Sequence, residues 1–346
     1  MNAAAGSLPE SFRDEAELED FMTRPNDLLR VDLRSAPGDI LVLGVGGKMG
    51  PTLARLAKRA DPSRRVIGVA RFSEAGLREK LQAWDIECVE VDLLDRASIE
   101  KLPRAANVVF MAGRKFGSSG AEHLTWAMNA HVPAMVAEVF AKSRIVAFST
   151  GCVYPYVDVE KGGATEEAHA VPPPGAYANS CVAREAMFEH FSRKYETPGR
   201  IIRLNYAIDM RYGVLHDVAS KVFAGREIDL TAGHVNVIWQ GDANNMILRM
   251  LGHCTTPTSP INISGPETIS IRWLAGEFGN IFGKTPQFSG KEAADGWLVN
   301  TSAARKLLGE PPVPLERMIR WTADWISRGR RSLGKETHYD TRDGSF

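Results

Sequence analysis

The chain has 346 residues, 44% hydrophobic and 24% charged, which suits a globular protein of one large domain or two at roughly 100–200 residues each. Its 42 Lys and Arg balance 42 Asp and Glu, so no net field draws it to nucleic acid or to an acidic membrane. No apolar run approaches the roughly 18 residues of a membrane span, and the acidic opening lacks the apolar stretch of a secretion signal. The four cysteines (Cys88, Cys152, Cys181, Cys254) and eight histidines show no ligand-pair spacing. A cytoplasmic protein with free thiols and no metal is expected.

Residues 1–37 are polar, with scattered apolar positions that predict one or two short helices in an N-terminal extension closed by Pro37-Gly38. From Asp39 the pattern changes. ILVLG (40–44), RVIGVA (65–70), IECVEV (86–91), NVVFMA (107–112) and RIVAFS (144–149) are short apolar runs rich in β-branched residues. Helical segments alternate with them, near 50–57, 73–83, 96–102 and 119–142. That alternation predicts a parallel sheet covered by helices on both faces. VPPPG (171–175) cannot continue a helix and leads into a helical segment at 177–195. RIIRL (200–204) reads as a sixth strand, INIS (261–264) as a late one. Helices are expected near 214–224, 240–252, 270–282, 301–308 and 314–329, with a disordered tail after Arg330.

The segment GVGGKMG places Gly44, Gly46, Gly47 and Gly50 directly after the first strand and at the start of a helix. Early glycines permit the strand-to-helix turn and let peptide N–H groups approach a pyrophosphate, with Lys48 and Met49 in the same loop. The last glycine lets the helix lie close to the sheet. Because the strand precedes and βα units follow, the context for a dinucleotide site is complete. The second strand ends in Ala70 and Arg71 rather than in a carboxylate. This favours a cofactor with a 2′-phosphate, NADP, over NAD. Asp92, followed by Leu93 after the third strand, is a candidate acceptor for an adenine amino group, or else a helix cap.

The glycine signature, VDLLD, VVFMAG (108–113), FSTGCVYP (148–155), YANSC at Tyr177, RLNYA (203–207), WQGDAN (239–244) and INISGPETIS (261–270) fall in an order that resembles the extended short-chain dehydrogenases/reductases, the NAD(P)-dependent epimerase/dehydratase family. The resemblance covers about residues 39 to 327. It implies an α/β protein: a Rossmann domain with a doubly wound parallel sheet over 38–204 plus about 235–255. A smaller, discontinuous α+β substrate lobe over 205–234 plus 256–330 would complete it, with 331–346 as a flexible tail. It implies contacts to the cofactor from Met111, Ala112, Gly113, Ser149 and Asn205. It also implies catalysis by Thr150 and Tyr177, a homodimer through helices 119–142 and 177–195, and a small sugar or sugar-acid substrate.

The family's Lys stands four residues after the Tyr, and here that position is Cys181. An ordinary Tyr ionises near pH 10, a deficit of ~4 kcal/mol for base chemistry at pH 7, which a neighbouring cation normally lowers and a thiol does not. Three readings follow. Tyr177 acts as a proton donor in carbonyl reduction; or another cation enters, from Arg114 or Lys115 in the loop after strand four, with Lys115 preferred; or the site only binds a dinucleotide, as a regulator. Tyr206, Arg211, Tyr212 and His216 follow the sixth strand and are candidate substrate contacts, His216 as a candidate base. Gly151 and Cys152 after Thr150 replace the Asp-Glu of nucleotide-sugar dehydratases, which disfavours dehydration.

Overall fold

The computed structural model describes residues 8–115 and 120–342. A seven-stranded sheet forms its centre: β1 (Ile40–Leu43), β2 (Val66–Ala70), β3 (Glu87–Glu90), β4 (Asn107–Phe110), β5 (Arg144–Thr150), β6 (Gly199–Leu204) and β7 (Ser259–Ile263). They lie in the order β7-β6-β5-β4-β1-β2-β3, and every pairing is parallel. The order reverses beside β1, where the ends of β1 and β4 diverge toward helices on opposite faces, the usual position of a ligand crevice. β1 and β4 are buried along their whole length, which is why their sequences are continuous apolar runs and not alternating ones.

Both faces are covered. On one lie α2 (Asp27–Ser35), α3 (Gly50–Ala60), α4 (Leu77–Gln82) and α10 (Gln240–Arg249), whose Leu29, Leu53, Leu81 and Ile247 share a core with Val42 and Val109. On the other lie α5 (Arg96–Glu100), α7 (Val132–Val139) and α8 (Ala176–Tyr195), packed around Leu41, Phe110 and Phe188. A second core joins α9 (Val214–Phe223), α11 (Ile271–Phe282) and α13 (Leu315–Ser327). The N-terminal extension bridges the two: Phe12, with Leu18 and Met22 of α1 (Glu15–Met22), enters the second core, while Leu33 of α2 enters the first.

Three expectations need correction. The segment 256–330 is not wholly in the second lobe: Ser259–Ile263 is the edge strand of the main sheet, and α12 (Ser302–Leu308) packs Ala304 and Leu308 into the sheet's core. The helical stretch 119–142, whose first residue lies outside the described residues, is not continuous. α6 (Glu122–Trp126) passes into a wide turn at Ala127–His131 before α7. Pro133 has no N–H for the carbonyl of Asn129, so a regular turn cannot close there. The tail does not hang free either. Residues 331–342 fold back on the body, with Thr337 and Tyr339 buried, because Asp217 and Asp295 offer acceptors to Thr337 and Arg342. The expected tail's last four residues, 343–346, lie outside the described residues.

Candidate active site

β1 runs into Gly44 at φ +90°, where a Cβ would lie 2.6 Å from the Ala112 nitrogen. At Gly50 a Cβ would lie 2.3 Å from the Val45 carbonyl oxygen, so only glycine lets α3 start this close to the sheet. Between them the outer surface of the loop is bare. Among the described residues, the N–H groups of Lys48 and Met49 have no backbone carbonyl partner. The Lys48 ammonium donates to the Ala207 carbonyl at 2.8 Å and lies 3.9 Å from the Tyr212 ring centroid. Unpartnered peptide donors, bare glycine and one ammonium group fit a pyrophosphate. Gly46 is exposed beside Ala70. Arg71 and Asp92 are exposed beyond the ends of β2 and β3, with an Asp92 carboxylate oxygen accepting from Leu94 N–H. Leu93 and Ala112 are buried in the sheet's core.

From this loop a cavity of about 290 Å³ runs to the end of β5. Gly44, Gly47, Lys48 and Met49 line one end, Thr150, Cys152 and Tyr177 the other; Met111, Gly113, Arg114, Lys115, Ser149, Asn205 and Tyr206 lie along it. The Thr150 oxygen accepts from Cys152 N–H at 3.2 Å, and the Thr150 hydroxyl meets the Tyr177 hydroxyl. Burial pushes the Tyr177 phenol well above its ordinary pKa, and the nearby thiols of Cys181 and Cys152 add to this. Arg184 and the Thr150 hydrogen bond oppose the rise. Cys181 is fully buried, hydrogen-bonds Tyr177, and is itself pushed up to about 11 by burial, so it is a neutral thiol at pH 7. Lys115 places its ammonium 5.8 Å from the Tyr177 ring centroid and donates to the Thr337 carbonyl at 3.1 Å. Burial lowers its pKa, as it lowers that of Lys48 to about 7.

Two substrate candidates are elsewhere. Arg211 is buried in an ion cluster with Asp209, Glu15 and Glu19, where it fastens α1 to the second lobe. His216 is buried in α9 with Nδ1 on the Met210 carbonyl. Neither lines the cavity. Ser149 lines it, but its hydroxyl donates to Glu185, which also binds Arg203. Asn205 donates to the Trp297 carbonyl at 3.0 Å.

The structure adds residues that motif reading passed over. Asn129, in the wide turn, accepts from Arg114 N–H and from Arg184, and donates to the Arg114 carbonyl and to Ser180. It thereby sets the loop carrying Arg114 and Lys115. Arg184 also donates to the Phe148 carbonyl. It stands seven residues after Tyr177, two helical turns along the same face, a spacing that could have revealed it. Thr337 comes from the folded-back tail, and no local signal announces it. Among the described residues no group of three or more His, Cys, Asp or Glu is placed to hold a metal, and no helix is long and apolar enough to cross a membrane.

This combination, a glycine turn at the switch point of a doubly wound sheet with a Tyr–Thr hydroxyl pair at the end of β5, defines a nucleotide-binding α/β class. A family model described as the NAD dependent epimerase/dehydratase family matches residues 40–224, and the chain belongs to that family. None of the curated proteins matches the sequence. Among solved structures, UDP-glucose 4-epimerase of Thermotoga maritima, with UDP-glucose, is similar at 20% identity and a TM-score of 0.69, over 84% of this chain and 99% of that one. UDP-glucuronic acid 4-epimerase of Bacillus cereus, with NAD, is 19% identical at a TM-score of 0.69, over 85% and 100%. dTDP-glucose 4,6-dehydratase of Bacillus anthracis, with NAD, is 16% identical at 0.71, over 84% and 97%.

Proposed function

We propose that the chain is a nicotinamide-dinucleotide-dependent oxidoreductase or epimerase that acts at a secondary alcohol or ketone of a sugar-derived substrate. The observation that carries this reading is the single cavity joining the glycine loop to the Tyr177–Thr150 hydroxyl pair. β2 ends in Ala70 and the exposed Arg71 where a carboxylate would hold a ribose 2′-hydroxyl, which supports NADP ahead of NAD, although the similar epimerase and dehydratase structures hold NAD. A nicotinamide bound there supplies a hydride donor or acceptor.

The protein's own part is proton placement. In reduction, the Tyr177 hydroxyl gives its proton to the carbonyl oxygen as that oxygen gains negative charge, and the Thr150 hydroxyl donates a second hydrogen bond to it. A phenol held well above its ordinary pKa keeps its proton at pH 7, so the proton is in place for reduction but is given up less readily than by an ordinary tyrosine, and the phenolate needed for alcohol oxidation is scarce. Asn129 and Arg184 hold the adjoining loop in place. The buried thiol at Cys181 favours a second reading, a dinucleotide-binding regulator without turnover.

Calorimetric titration with NADP(H) and NAD(H), followed by hydride exchange over a panel of sugars and sugar acids, separates the two. Binding with exchange that Tyr177→Phe abolishes supports the enzyme. Binding without exchange on any substrate supports the regulator, and no dinucleotide binding overturns both.

A further inference from the structure

Arg184 is a buried charge without a counter-ion. Only 5% of it is exposed, and among the described residues no carboxylate pairs with it. Its guanidinium donates to the Phe148 carbonyl at 2.9 Å and to the Asn129 side-chain oxygen at 2.6 Å, both neutral groups, and its Nε–H is buried without an acceptor. The adjoining Glu185 is taken: it pairs with Arg203 at 2.7 Å and accepts from the Ser149 hydroxyl. A guanidinium buried on neutral partners is costly, and an uncharged amide could tie the same two oxygens. Room is nevertheless kept for it, since at Gly113 a Cβ would lie 2.6 Å from Nη2.

α8 carries Tyr177, Cys181 and Arg184 at spacings of four and three, along one face. Helical side chains lean toward the N-terminus, so the long Arg184 side chain is directed back toward Tyr177. The guanidinium meets β5 at Phe148 and the phenol meets it at Thr150, two residues or about 7 Å further along, and both line the cavity. The other groups facing the phenol are the thiols of Cys181 and Cys152, both raised by burial and neutral at pH 7, and the Lys115 ammonium, 5.8 Å from its ring centroid. The Tyr206 and Tyr212 phenols on the cavity are likewise raised by burial, Arg114 and Lys48 also line it, and among the described residues no Asp or Glu does. Burial lowers the pKa of Lys115, whereas a guanidinium stays charged across the working pH range.

We infer that Arg184 is a positioning residue for proton transfer: its guanidinium, seated under Gly113 and balanced by no carboxylate, is the fixed charge against which the Tyr177 oxygen becomes negative. The inference rests on the proposed role of Tyr177. In reduction the substrate carbon gains hydride from the reduced nicotinamide, the Tyr177 O–H bond breaks, its proton passes to the carbonyl oxygen, and the electron pair stays on the phenol oxygen. That anion supplies the charge Arg184 lacks. In oxidation the same steps run backward, with the phenolate as base.

Trifluorotyrosine in place of Tyr177 brings a more acidic phenol into titration range, and fluorine NMR follows it in the full chain without substrate or cofactor. Arg184→Met should raise its pKa by about 1 pH unit. Arg184→Gln, which keeps amide donors for Phe148 and Asn129, should do the same, and thermal melting checks that each variant folds. Adding Cys181→Lys to either variant should bring the titration back to the parent's position or below it, a rescue that a merely structural role would not give. With Tyr177 itself in place, both neutral variants should lower hydride exchange about tenfold in both directions, while dinucleotide affinity stays within about threefold. The inference is overturned if the titration stays put in a folded neutral variant, if Cys181→Lys does not restore it, or if exchange is unaffected while the titration moves. Should no sugar or sugar acid exchange hydride, a shifted titration would keep the charge pairing of Arg184 with Tyr177 and sink the oxidoreductase reading alone.

Discussion

The two ends of the cavity are built in different ways. The glycine end is made of backbone: one turn of consecutive residues, shaped by what Gly44 and Gly50 lack, offers peptide N–H groups and a helix start. The Tyr177 end is made of side chains from distant segments: the loop at 113–115, the end of β5, the face of α8 and the returning tail at Thr337. A backbone site survives most side-chain changes and fails when space is filled. A side-chain site fails one group at a time.

The comparison is broken most severely at Gly50. Gly50→Val drives a branched side chain into the Val45 carbonyl. It should cost about 2–3 kcal/mol in urea unfolding and remove dinucleotide binding by calorimetry. At the other end, Tyr177→Phe should leave the fold and dinucleotide affinity within about threefold while lowering hydride exchange about 10²- to 10⁴-fold. Equal losses of binding in both variants would erase the distinction between the ends.

The same contrast explains what could be read from the sequence. Strand order on the chain, helices on both faces and the glycine turn all depend on local periodicity and short-range turn chemistry, and these are legible. The Tyr–Thr pair is found through a family resemblance whose marker residues lie close together in sequence. Asn129, Arg211 and Thr337 are different. Asn129 matters because Pro133 spoils a helical turn beneath it, Arg211 is drawn away by acids 192 and 196 residues earlier, and Thr337 is held by Asp217 from 120 residues away. Such pairings follow from packing, and no pattern along the chain encodes them.

Charge sharpens the comparison further. Cys181→Lys places an ammonium one turn from Tyr177, which favours the phenolate. The alkaline limb of alcohol oxidation, which burial of the phenol holds above the ordinary tyrosine range in the parent, should move down by about 1–2 pH units. An unmoved limb would show that another group sets it. At the glycine end, Lys48 has a folded pKa of about 7 against an ordinary 10.5. The folded state therefore binds fewer protons between those values, and stability rises with pH across that window; below pH 7 the burden of the buried charge is complete. Lys48→Met should raise Tm by about 2–4 °C at pH 6 and by less as pH approaches 10, while weakening dinucleotide binding about tenfold. A lower Tm at pH 6 would mean that the ammonium stabilises the empty loop.

Asp242 serves neither end and is the control. It lies in α10, buried, with one carboxylate oxygen accepting from Val313 N–H at 3.0 Å, and burial raises its pKa from 3.8 to about 7. Between those values the folded state holds a proton that the unfolded chain has released, so stability falls as pH rises from about 4 to 7. Asp242→Asn keeps an acceptor for Val313 and removes the titration, but it adds amide donors in a buried setting, which offsets part of the gain. The net effect should be about 1 kcal/mol of stabilisation at pH 8, shrinking to nothing near pH 4, with dinucleotide binding and hydride exchange unchanged. A pH-independent difference in urea unfolding would show that the carboxylate is not ionised at the expense of the fold. A change in exchange rate would tie α10 to the reacting end of the cavity.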